Sequence, residues 1–83
     1  MDSPRSCKLV IVHWEDIQFN DNWDDDNPVQ PVECVTVGFL VKDEATFVGI
    51  ASSYDYREEQ WATKHAIPRG VVQSIEVLRE PSD

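Results

Sequence analysis

Val35, Val37, Phe39 and Val41 occupy every second position of one short run, a two-residue period that fits an extended strand with one face turned to a core. The spacing excludes an amphipathic helix, where apolar residues recur at three and four positions. We read a strand from Val32 to Lys42, with Cys34, Thr36 and Gly38 on its other face. A glycine at mid-strand marks a bend, a bulge or a close backbone approach, and small barrels turn their corners at such positions.

Four more segments have the same character. Cys7 to Trp14 is dense in β-branched and aromatic residues. Its two rows, Leu9, Ile11 and His13 against Val10, Val12 and Trp14, are both largely apolar, as expected of a strand covered on both faces or lying at a sharply curved position such as a barrel wall. A polar turn at Lys42–Ala45 leads into a third strand, Thr46 to Ser53, centred on Gly49. A second polar loop from Tyr54 to Gln60 precedes a fourth, Trp61 to Ile67. Pro68-Arg-Gly70 is a tight connector, read as one turn of 3₁₀ helix, into a fifth strand over Val71–Leu78. No amphipathic helical stripe of ten residues appears. The expected fold is therefore all-β: a small five-stranded barrel of the SH3-like or Sm-like kind, which disposes of its strand edges by curling. One domain spans residues 7–79, with loose termini at 1–6 and 80–83.

Glu15 to Pro31 is the exception. It carries six acids and no base, with three asparagines and two prolines, interrupted by Ile17, Phe19 and Trp23. This is a long acidic loop, and loops of that length tend to be functional or to hold a short ordered element. The whole chain has 16 acidic against 7 basic residues and a net charge of −9. That sign opposes binding to a phosphate backbone, so no direct nucleic-acid contact is expected. The longest apolar run, Leu9 to Val12, is far short of the roughly 20 residues needed to cross a bilayer. A cytoplasmic protein without membrane association is expected, in the host cytoplasm if the chain is phage-encoded.

Several pieces together resemble a group of small uncharacterised proteins of bacteriophages and prophages. They are Val12-His-Trp14-Glu-Asp16 with Asn22-Trp23, the run Val35-Thr-Val-Gly38-Phe-Leu-Val41, and Ile67-Pro-Arg-Gly70 with Ile75 and Leu78. The resemblance spans nearly the whole chain and implies a phage or prophage origin. The closing Ile67-Pro-Arg-Gly-Val-Val, followed by Ile75, also resembles the last two strands of Sm-like barrels.

No nucleophile–base pair is legible, and an enzyme is not expected. Cys7, His13, Cys34 and His65 lack zinc-ligand spacing, and the acids of the long loop lack the pattern of a calcium loop, so neither metal nor cofactor is expected. The expected function is a non-enzymatic interaction module that binds a host or viral protein. Its contact residues are Asp21, Asp24, Asp25 and Asp26 of the acidic loop with Tyr54, Tyr56 and Arg57 of the second polar loop, because carboxylates beside aromatics suit a basic protein surface. The alternative is an oligomeric binder or sponge for a nucleotide, with Lys64, His65 and Arg69 meeting the anion between subunits. A core this small is marginal alone, so a homo-oligomer is expected, joined along the fourth and fifth strands.

Overall fold

The computed structural model of the chain describes residues 3–17 and 30–82. Five strands account for most of them: β1 (Leu9–Asp16), β2 (Val32–Asp43), β3 (Phe47–Asp55), β4 (Gln60–Pro68) and β5 (Val72–Arg79). They form one antiparallel sheet in the order β4-β3-β2-β1-β5. Two 3₁₀ turns complete the description, Pro4–Ser6 and Arg69–Val71, the second at the Pro-Arg-Gly connector. The all-β, five-stranded reading holds, with each boundary displaced by two residues or fewer.

The two edge strands are consecutive in the chain, and this geometry bends the sheet. Only three residues separate Pro68 from Val72, so their Cα atoms lie within about 14 Å of each other. A flat sheet would hold the outer strands about 19 Å apart. The sheet must therefore curl, yet β4 and β5 form no ladder with one another. The closed barrel expected from the sequence is not formed: this is an open, curved sheet with two edges.

Inside the curve lie Val10 and Val12 of β1, Val48 and Ile50 of β3 and Ile67 of β4. Trp14, Leu40, Val71, Val72 and Ile75 pack around them, half-buried. The Trp14 indole reaches Thr36, donating from Nε1 to Oγ1 at 2.9 Å. Register decides which row of β2 turns inward. Val10 stands opposite Gly38 and Val12 opposite Thr36, so the core side of β2 is the row of Thr36, Gly38 and Leu40. The alternating valines, expected to be the buried face, point outward: Val35 is 57% and Val37 49% exposed. Both rows of β1 are apolar, so β1 could accept either side of β2, and the partners Val48 and Ile50 select between them.

Gly38 is required by a close approach. A Cβ there would stand 2.6 Å from the Ala51 carbonyl oxygen and 2.8 Å from Ile50 Cγ2. Beyond Gly38 the sheet forks. The β2–β3 ladder pairs Asp43 with Val48, Lys42 with Gly49, Leu40 with Ile50 and Phe39 with Ala51, with Val41 the extra residue at a bulge, and there it ends. β1 continues along β2 to the Asp16–Val32 pair, while β3 and β4 run on together to Asp55 and Gln60. Among the described residues, the far half of the β3–β4 hairpin is thus an arm paired only within itself, and residues 32–38 of β2 have a ladder only with β1.

The ends of the described chain are tied together. Pro4, in the segment expected to be loose, is buried. The Arg79 guanidinium, at the end of the expected domain, donates to the carbonyls of Pro4 and Cys7 and lies 5.7 Å from the centre of the Phe39 ring. Ser82 N–H donates to the Arg5 carbonyl at 2.7 Å.

Candidate functional site

The arm carries the sequence-predicted tyrosines. Its tip, residues 56–59, is a turn fixed by Asp55, whose carboxylate accepts from the backbone N–H of Arg57 at 2.8 Å and of Glu58 at 3.2 Å. An aspartate that caps the backbone two and three residues ahead is a local turn former needing no help from the core. Glu59 completes the turn with a positive φ of 54°.

From the tip, aromatic rings run back toward the sheet. Tyr56, 73% exposed, meets Tyr54 edge-on with centroids 5.0 Å apart. Tyr54 meets Trp61 of β4 at 4.8 Å, and Trp61 meets Phe39 of β2 at 5.3 Å. Arg79 closes the far end over Phe39. Tilted and edge-to-face contacts at these separations are the arrangements ring quadrupoles favour. Thr63, two residues from Trp61, has a φ of 54°, a strained value for a β-branched residue. Facing it, Ser52 donates to the Thr63 carbonyl at 3.4 Å. The distortion falls where the arm leaves the body of the sheet. The Trp61 Nε1–H is buried and has no acceptor.

Partial burial is the main cause of a Tyr54 pKa raised above the ordinary phenol value of 10.0. The neighbouring Glu59 carboxylate, Tyr56 and Asp55 add to it. Tyr54 accordingly holds its proton, keeping a neutral ring in the ladder and a hydroxyl able to donate.

The sequence-predicted contact residues divide into three groups. Tyr54, Tyr56 and Arg57 are brought together on the arm, with Tyr56 and Arg57 outermost and Tyr54 half-buried beneath. Asp21, Asp24, Asp25 and Asp26 lie outside the described residues, as do Phe19 and Trp23. The alternative nucleotide set does not converge within one chain. Lys64 and His65 are consecutive on β4 and project to opposite faces. Arg69 is engaged elsewhere, forming an ion pair with Asp43 and donating to the Glu44 carbonyl at 3.1 Å. An open groove of about 340 Å³ between the end of β1 and the second 3₁₀ turn is lined by Glu15, Asp16, Ile17, Pro31, Val71 and Val72, with glutamines and Gly70 around them. It offers two carboxylates and no cation, the wrong charge for an anionic ligand.

Trp61, Phe39 and Arg79 are site residues that the sequence did not single out: Phe39 was read on the apolar face of the second strand, and Trp61 and Arg79 were given no contact role. A fork in a sheet has no sequence signature beyond Gly38, so the ring contacts across it were not legible. Cys34 is half-buried, its thiol 3.6 Å from the Val32 carbonyl, and Cys7 is buried. No disulfide is formed between them. Among the described residues no three His, Cys, Asp or Glu side chains gather as a metal site, and no helix is long and apolar enough to cross a membrane. Comparison with known proteins gives no matching family model, no matching curated protein and no matching solved structure.

Proposed function

We propose that the chain is a non-enzymatic protein-interaction module that meets a host or viral partner with the tip of its β3–β4 arm. The observation that carries this reading is the ring ladder ending in solvent. Tyr56 stands 73% exposed and is braced from below by Tyr54 and Trp61. A braced tyrosine loses little conformational freedom on binding and offers a large amphipathic contact, so aromatic anchors of this kind are enriched in binding hot spots. Arg57 beside it adds planar donors. The net charge of −9 steers the module toward basic surfaces.

The open edges of β4 and β5 are, in this reading, the seam of a homo-oligomer, where pairing between copies would supply the barrel-like closure that one chain lacks. The test for the arm is site-specific crosslinking. A photoreactive phenylalanine analogue in place of Tyr56 is expected to capture one host or phage protein, and the double change Tyr56→Ser, Arg57→Glu to abolish capture from a probe at Glu58, whose side chain is exposed on the same turn. Equal capture from a probe at Ser74, on β5, would refute the assignment to the arm.

A further inference from the structure

The fork leaves β2 with an edge that nothing in the described chain covers, and the ladder on its other side fixes which backbone groups that edge presents. Leu40 N–H donates to the Lys8 carbonyl at 2.9 Å. The β1–β2 register continues that pairing without a slip, through Val10–Gly38, Val12–Thr36 and Trp14–Cys34. Antiparallel ladders alternate, so these even-numbered residues of β2 exchange their bonds with β1, while the odd-numbered ones direct N–H and C=O the other way. Phe39 spends its groups on Ala51, where the β2–β3 ladder ends. Glu33, Val35 and Val37 therefore direct their backbone groups where no described strand pairs with them, over a stretch whose Val32, Val35 and Val37 side chains are also exposed.

Natural sheets blunt such an edge with lysine, proline, a bulge or a covering loop. Among the described residues none of these interrupts residues 32–37: the one bulge of β2 lies beyond Phe39, and the β2–β3 ladder has ended at Ala51. Charge indicates what fits there. Glu15 and Glu33 stand directly opposite one another across the β1–β2 ladder, in a pairing that like charges destabilise. Among the described residues, Glu15 accepts a hydrogen bond from neutral Gln73. Asp55 lies on the β3 side of the fork, and Glu58 and Glu59 on the turn beyond it.

We infer that the Glu33–Val37 edge of β2 receives an extended, lysine- or arginine-bearing segment of a partner protein, which adds a strand in the fork. Main-chain bonds to residues 33, 35 and 37 supply the affinity, Val35 and Val37 pack alternate side chains of the incoming strand, and its cations meet Glu15, Glu33 and Asp55. A second copy of this chain is the poorer occupant, since it brings the same negative charge and leaves the Glu15–Glu33 pair uncompensated. The inference rests on the interaction-module reading and adds to it a second contact and the chemistry of the partner.

The probe is a capped nine-residue peptide of alternating valine and threonine with lysine at each end, together with an analogue ending in glutamate. In the free protein, the Val35 and Val37 amides are expected to exchange quickly with solvent while those of Cys34 and Thr36 are protected. On adding the lysine peptide, Val35 and Val37 become protected, and the glutamate analogue binds at least about tenfold more weakly, as expected where charge selects the partner. Val35→Pro removes a donor that faces the fork and none that faces β1. It is expected to weaken peptide binding by about tenfold or more, one lost charge-flanked edge contact, with the thermal melt changed little. Equal binding of the peptide to Val35→Pro and the unaltered chain overturns the inference. So does protection of Val35 and Val37 in the free protein that rises with its concentration, since a second copy then holds the edge. If Tyr56→Ser, Arg57→Glu abolishes partner capture and Val35→Pro leaves it intact, the module reading stands and the strand-addition inference fails.

Discussion

Replacing Gly38 by alanine tests the close approach at which the sheet divides. The added methyl carbon would sit 2.6 Å from the Ala51 carbonyl oxygen, 3.2 Å from its carbonyl carbon and 2.8 Å from Ile50 Cγ2. Neither obstacle can swing aside: one is backbone in the middle of β3, and the other belongs to a fully buried isoleucine packed in the core. The β2–β3 ladder must open by several tenths of an ångström or the core must shift, and overpacking of this kind costs about 1–3 kcal/mol. For a domain of this size each kilocalorie lowers the melting temperature by about 4–8 °C, so the upper end of that cost is a fall of about 12–24 °C. Gly70 provides the internal control, since a Cβ there meets nothing within 4 Å and its φ is not positive. Gly70→Ala should gain about 0.4–1 kcal/mol through the unfolded chain alone. Thermal melts by circular dichroism on the two variants decide the matter. If Gly38→Ala melts within about 2 °C of the parent, a shift smaller than 1 kcal/mol produces, the close approach at the fork is wrong.

Three other perturbations follow from the same geometry. Thr36→Val leaves the Trp14 indole N–H without its partner in a half-buried site, and chemical denaturation should show a loss of about 1–3 kcal/mol; no change would mean that water satisfies the indole. Thr63→Gly relieves a positive φ that a β-branched residue holds at a cost of order 1–3 kcal/mol, so the melt should rise despite the intrinsic penalty of glycine in a strand, and a fall would show that Thr63 is not strained. Because the Tyr54 pKa is raised on folding, the neutral phenol is the form the fold prefers. Its stabilising share is complete below the unfolded value near 10 and is lost as pH climbs through the folded value. Ultraviolet titration of the phenolate should place Tyr54 above the ordinary phenol value of 10.0, and Tyr54→Phe should flatten the alkaline decline in stability; an unchanged decline refutes the assignment.

The strands were legible because each contains an alternation or a cluster of β-branched residues between turn formers, and Pro68-Arg-Gly70 marked the short 3₁₀ link. What was not legible was the sidedness of β2. The row of Val35, Val37, Phe39 and Val41 is the more apolar one by composition, yet the row of Thr36, Gly38 and Leu40 faces the core, because register with Val10 and Val12 overrides the local count. Closure was over-read for a related reason: a short β4–β5 link requires curvature, and curvature alone does not supply the ladder that makes a barrel. At the candidate site, Tyr54, Tyr56 and Arg57 were found from their loop-like surroundings, although Tyr54 proved to be strand. Trp61, Phe39 and Arg79 join them only through contacts between residues up to 40 positions apart in the chain, a distance at which no periodicity operates.

The pairing of the last strand with the first sets an order of assembly in time. Val12 and Ile75 are ladder partners, and bringing together positions roughly sixty residues apart carries a loop-closure cost that no local turn repays. The two hairpin-forming strands β3 and β4 can zip early around the Asp55 turn. β1, by contrast, keeps a bare flank until β5 arrives. Folding of this chain is therefore governed by its least local event, with refolding expected in the milliseconds-to-seconds range of non-local β topologies. During that interval the valine-rich opening strand is the part of the chain most in need of protection from its neighbours.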